Sequence, residues 1–117
     1  MLNSQPKRKP YRNKKILAAA RGEVCLVNLP GCTGGGEDTV AAHSNQMGDG
    51  KGGGQKADDF CSAFSCASCH DVLDNRKAVY RTDGYVDTLI FGQELIFWHD
   101  RGIKRTIRRL LDIGVLK

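Results

Sequence analysis

The sequence predicts a small α+β domain held together by a bound metal as much as by an apolar core. Three observations carry that expectation. The pair Cys66-x2-Cys69 is followed at once by His70 and, four residues on, by Asp74. Two further cysteines, Cys25 and Cys32, lie upstream among short extended segments, whereas helical periodicity dominates after Cys66. The third is scarcity: of 117 residues only 40% are hydrophobic and 7% aromatic, a thin core that a metal staple strengthens.

Residues 1–12 contain two prolines and four basic residues, Lys7, Arg8, Lys9 and Arg12, and read as a flexible basic arm ahead of a single domain over 13–117. Asn13 suits the cap of a short helix over 14–21, with Gly22 as its stop. Residues 23–29 read as a strand, and Pro30-Gly31 turns the chain to deliver Cys32. Gly34 to Gly36 reads as a mobile link. Residues 39–43 read as a second strand that presents His43 near its end.

Residues 44–63 show no periodicity. They include Asn45, Lys51, Lys56 and five glycines between Gly48 and Gly54, so they read as a long loop of the kind that is commonly functional. Residues 66–81 read as a knuckle and then a helix, with Val72 and Leu73 turned to the core. Asp83-Gly84 is a turn. Residues 86–99 are the most apolar segment and read as a buried helix, broken by Gly102. Beyond it, Ile103, Ile107, Leu110 and Leu111 recur at helical spacing opposite Lys104, Arg105, Arg108 and Arg109, an amphipathic basic helix.

Charge is divided along the chain. The net formal charge of +5 arises from +7 over residues 1–21, −7 over 22–100 and +5 over 101–117. Basic ends around an acidic, metal-capable centre suit a protein that grips a polyanion by its backbone. No apolar run suits a secretory signal or a membrane span, so a reducing, cytoplasmic setting is expected. There, clustered cysteines more often bind metal than form disulfides.

Cys25, Cys32, Cys66 and Cys69 therefore form the expected ligand set for structural zinc, with Cys61 left over. The run Cys66-Ala67-Ser68-Cys69-His70 also matches the c-type haem attachment pattern, but that reading leaves Cys25 and Cys32 unexplained. A second, hydrolytic site is expected from His43, His70 and Asp74 with Asn45 in support. If a helix starts near Cys69, His70 and Asp74 share one face and can hold Mg, Mn or another divalent ion. A histidine side chain can take up a proton near neutral pH, so His43 suits a general base. The bland alternative for His43 is a structural or capping histidine.

A strand-borne histidine followed by C-x2-C-H on a helix resembles the HNH, or ββα-metal, nucleases. The closer resemblance is to the small prophage-encoded nuclease family of the YbcO type. It rests on Ala20-Arg21-Gly22, Pro30-Gly31-Cys32, Ala42-His43-Ser44-Asn45-Gln46 and Cys66-Ala67-Ser68-Cys69-His70-Asp71, with Asp74 following. The resemblance implies a zinc-stapled ββα-metal core, treble-clef-like, with an extra helix at each end. It implies a divalent-metal-dependent DNA endonuclease acting in phage or prophage DNA recombination or processing. It gives His43 the role of base, Asn45 that of its orienter and His70 that of metal ligand. Ala42 stands where these enzymes usually carry a metal-binding Asp or His, so Asp74, or His43 itself, is left to supply that ligand. DNA would be gripped by the arm and by Lys104, Arg105, Arg108 and Arg109; a homodimer is an open alternative. The rival is a non-catalytic zinc-bound nucleic-acid-binding module.

Overall fold

The computed structural model describes residues 9–52 and 54–117. The expected arm cations Lys7 and Arg8 lie outside the described residues. The order is α1 (Lys14–Ala19), β1 (Val40–His43), a single 3-10 turn (Met47–Asp49), β2 (Ser62–Ser65), α2 (Ala67–Leu73), β3 (Tyr80–Asp83), β4 (Val86–Leu89) and α3 (Gly92–Asp112). The fold is a small mixed α/β domain. Helix α1 starts where the Asn13 side chain accepts the Lys15 amide at 3.0 Å.

Residues 23–29 do not form the expected strand. Cys25, Val27 and Leu29 are buried in alternation, which is the period the sequence displays. Ladder pairing is nevertheless limited to one bridge, Val24 with Gly35. Asn28 sits at φ 56°, and the chain bends back so that the Cys25 amide meets the Gly34 carbonyl at 2.9 Å. The expected mobile link at 34–36 is instead pinned. A Cβ on Gly35 would lie 2.5 Å from both the Cys25 amide nitrogen and Thr39 Oγ1, so only glycine fits.

Strands β1 and β2 pair antiparallel, with Ala42 opposite Ala63 and His43 opposite Ser62. β2 is the strand missing from the sequence reading, which left 62–63 in the loop and 64–65 unassigned. All four of its residues are buried. Its outer edge is closed by two bonds: the Leu26 amide reaches the Phe64 carbonyl at 2.8 Å, and the Phe64 amide reaches Thr106 Oγ1 at 2.8 Å.

The helix expected over 66–81 ends at Leu73, because the chain then turns through Asn75 at φ 60°. The segment around Asp83-Gly84 is a hairpin of β3 and β4, not a turn between helices. Tyr80, Thr82, Val86 and Thr88 favour strands, and Gly84 at φ 64° accommodates the two-residue turn. The apolar run 86–99 is thus split between β4 and the start of α3.

Gly102 does not break a helix. α3 runs unbroken for 21 residues, and Gly102 is where it crosses the sheet most closely. A Cβ there would lie 3.1 Å from Ala63 Cβ and from Val27 Cγ2. One turn earlier, His99 Nε2 donates to the Ala42 carbonyl at 2.9 Å, locking α3 to β1. The core has two parts. One gathers Val27, Leu29, Val72, Leu73 and Ile103 beside the buried cysteines; the other packs Ile16, Ala20, Phe64 and Leu110.

Two outcomes follow. Gly102→Ala should destabilise the fold by about 1–3 kcal/mol in thermal or urea unfolding, against the gain of about 1 kcal/mol that the same change gives in an open helix. Burial pushes the His99 pKa down, only partly offset by the Ala42 carbonyl and nearby acids. The unfolded imidazole takes up its proton near pH 6.5, while folded His99 stays neutral to lower pH. In that window the unfolded chain binds more protons, so stability falls as pH falls. The melting temperature should drop between about pH 7 and 5.5, with a shallower slope in His99→Gln.

Candidate functional site

The four sulfur atoms of Cys25, Cys32, Cys66 and Cys69 lie within 4.8 Å of one another. Two come from the bent segment 25–32; two come from the start of α2, where Cys66 is the N-cap and its sulfur accepts the Cys69 amide. Zinc–sulfur bonds of about 2.3 Å in a tetrahedron put sulfurs about 3.8 Å apart. Cys66 Sγ and Cys32 Sγ are 3.8 Å apart.

Their protonation also fits a cation. Cys25 accepts the Cys69 thiol proton and bonds from Asn28, Cys66 and Val27, which outweigh its burial and hold its pKa at about 4. Cys69 is pushed far up in turn, first by donating a hydrogen bond to Cys25, which holds the proton on Cys69, and then by burial. Burial opposes the Cys66 thiolate, but bonds from the Cys69 amide and Thr33 outweigh it and lower its pKa. Burial raises Cys32. Two of the four are thus favoured as thiolates and two as thiols, and a bound cation would favour the thiolate form of all four. The four cysteines could hold a metal such as zinc.

On the other side of β1 lies an open groove of about 790 Å³. Its floor carries His43 from β1, Asn45 just beyond it, and His70 and Asp74 from α2; its rim carries Arg21, Lys51 and Lys56. His70 Nε2 and Asp74 Oδ2 are 3.1 Å apart, one helical turn from each other and each about one third exposed. Ligand atoms at about 2.1 Å on adjacent corners of an octahedron stand about 3 Å apart, so this pair fits one edge of a small divalent ion. Arg76 also reaches Asp74 at 3.4 Å and would compete for it. Among the described residues, no third His, Cys, Asp or Glu joins this pair as a ligand cluster.

His43 faces a different partner. Its Nε2 lies 2.9 Å from Asp59 Oδ1, a carboxylate only 2% exposed. In the sequence Asp59 is one of three acids, with Asp49 and Asp58, in the aperiodic stretch 44–63. Burial pushes the Asp59 carboxyl up, but His43, the Asn13 amide and Arg12 outweigh it and bring it below the usual range. Asp49 accepts from Ser44 Oγ, fixing the start of the connection after β1. The Asn45 side chain donates to the Leu73 carbonyl at 3.2 Å, bracing the exit of β1 against the end of α2 rather than contacting His43.

The α3 cations are partly engaged within the chain. Arg109 grips Glu23 at 2.7 Å, Arg105 reaches Asn28 Oδ1 at 3.2 Å, and Arg108 lies 3.5 Å from Asp112. Lys104 is exposed. Tyr11 and Arg12, at the end of the expected arm, dock on residues 56–60. No helix among the described residues is long and apolar enough to cross a membrane.

The family described as "Putative nuclease YbcO" matches residues 14–115. The chain belongs to the YbcO family. Two relatives of that name, from Escherichia coli strain K12 and from Enterobacteria phage 82, are each 42% identical over 59 residues. That match spans half of this chain and 60% of each relative's length. A solved structure, titled a putative bacteriophage protein from Escherichia coli K-12 MG1655, is similar at a TM-score of 0.58 and 29% identity. It covers 84% of this chain and 98% of that one.

Purified protein should carry about one zinc per chain by elemental analysis. Cys25→Ser and Cys69→Ser should each lower that content and the melting temperature, and a strong chelator should unfold the wild type.

Proposed function

We propose that this YbcO-family chain is a DNA endonuclease of the HNH type, in which β1, β2 and α2 make up the ββα-metal unit. It would hydrolyse phosphodiester bonds during phage DNA recombination or processing in the bacterial cytoplasm. The supporting observation is that His43 on β1 and the His70–Asp74 pair on α2 open into one groove. A strand supplies the candidate base, the helix after β2 supplies candidate ligands, and both line a groove of about 790 Å³.

His70 and Asp74 would hold Mg, Mn or another divalent ion, which when bound neutralises charge on the phosphate and the leaving oxygen. His43 takes the proton of the attacking water. Asn45 keeps the His43 strand in register with α2 through Leu73. Lys51, Lys56 and Arg21 on the rim attract the flanking phosphates, and Lys104, Arg105 and Arg108 add to the basic surface. The phage origin of one relative and the bacteriophage title of the similar structure support the biological setting.

Plasmid nicking with added Mg or Mn tests this. His43→Ala and His70→Ala should each lower the rate on the order of 100-fold or more while zinc content is unchanged. Lys51→Ala with Lys56→Ala should weaken DNA binding and reduce the slope of log affinity against log salt by about 1 per lysine. If both histidine variants nick like the wild type, the activity is a contaminant or the site lies elsewhere; if the zinc-loaded wild type binds DNA and does not nick it, the chain is a non-catalytic zinc-bound nucleic-acid-binding module.

A further inference from the structure

The contact between His43 and Asp59 has a chemical direction. An ionised carboxylate can only accept hydrogen bonds, and a neutral imidazole carries one proton, on one of its two nitrogens. Asp59 is ionised by its surroundings. A carboxylate this deeply buried is tolerated only when its oxygens are bonded, and here three donors reach it. His43 Nε2 meets Oδ1 at 2.9 Å, Arg12 Nη1 meets Oδ1 at 3.4 Å, and the Asn13 amide meets Oδ2 at 2.7 Å.

The bond to His43 therefore places the imidazole proton on Nε2. Nδ1 is left with its lone pair and has no hydrogen bond among the described residues. The carboxylate is itself strapped in place. Arg12 also donates to the carbonyls of Ala57 at 2.7 Å and Lys56 at 3.0 Å, and the Asp59 amide donates to the Tyr11 carbonyl at 3.0 Å. The Tyr11 ring packs edge-on against Phe60. A segment that reads in sequence as the end of a flexible arm is thus the back wall of the histidine.

We propose that Asp59 is a positioning residue. Clipped by Arg12 and the Asn13 amide, it fixes the proton of His43 on Nε2 and leaves Nδ1 as the basic atom. The inference rests on the nuclease reading above and deepens it. In the hydrolytic step the water oxygen bonds to phosphorus as its proton passes to Nδ1. The bond from phosphorus to the leaving oxygen breaks, and that oxygen takes a proton from solvent. Asp59 keeps its negative charge throughout, stabilising the imidazolium through the Nε2 proton.

The test joins a spectroscopic and a kinetic readout on the full chain. Long-range nitrogen–proton NMR of the wild type, at a mildly alkaline pH where imidazoles are neutral, should show His43 as the Nε2-protonated tautomer. Asp59→Ala should relax it to a mixture. In nicking assays the same variant should lose on the order of 10–100-fold in kcat while KM for DNA moves less than about twofold. A wild-type His43 protonated on Nδ1, or an Asp59→Ala protein with unchanged kcat, overturns the proposal. If Asp59→Ala loses its metal or fails to fold, the wild-type tautomer decides alone. If the wild type does not nick at all, the nuclease reading falls, and the tautomer spectrum still decides whether Asp59 orients His43.

Discussion

Cys25 and Cys32 reach Cys66 and Cys69 across a sequence gap of more than thirty residues, and the sulfurs end within 4.8 Å of one another. Much of the fold follows from that closure. It holds the bent segment 25–32 against the start of α2, so that Leu26 lies along the outer edge of β2 and Val27 meets Gly102 of α3. The same closure starts α2 at Cys66, which sets where His70 and Asp74 emerge one and two turns later. A short chain with few aromatic residues would gain rigidity here from a metal that the four sulfurs could hold.

The opposite face depends on polar bonds to α3. Thr106 accepts the Phe64 amide and His99 donates to the Ala42 carbonyl, so the two central strands are each fixed to the long helix by one buried contact. Buried groups of this kind specify register as well as stability, because a one-residue slip would leave each without a partner. With sulfur on one side and α3 on the other, His43 sits at the end of a strand that has little freedom to move.

The parts of this arrangement legible in sequence were those encoded by spacing. The four cysteines, the Asn13 cap, the strand ending at His43 and the i,i+4 placement of His70 and Asp74 all follow from local pattern. What escaped depends on distant partners. Ser62 to Ser65 carry no alternation, since a strand covered on every side needs none. Gly102 reads as a breaker in isolation and becomes a packing device only when Ala63 and Val27 are known. The hairpin of β3 and β4 was partly visible in Asp83-Gly84, but the apolar run after it outweighed the β-branched and aromatic residues that flank the turn. Asp59 looked like any acid in a polar loop. Its one hint was position, at the close of the glycine-rich connection just before an apolar stretch, where the chain must return to the body of the protein. The charge blocks likewise do not show that Arg109 and Arg12, both exposed, also pair within the molecule, with Glu23 and with the Ala57 carbonyl.

The connection from Ser44 to Cys61 joins neighbouring strands by a long detour, yet both of its stems are tied down. Ser44 bonds Asp49 and the Cys61 carbonyl at one end, and residues 57–60 are gripped by Tyr11, Arg12 and Asn13 at the other. Between the stems, Met47, Gly48, Lys51, Gly52 and Gly54 form an exposed tip. Natural variation can therefore lengthen, shorten or recharge the tip while the histidine stays where it is. Under the proposed nuclease reading, such a segment would let one groove be refitted, lineage by lineage, to differently shaped nucleic acids.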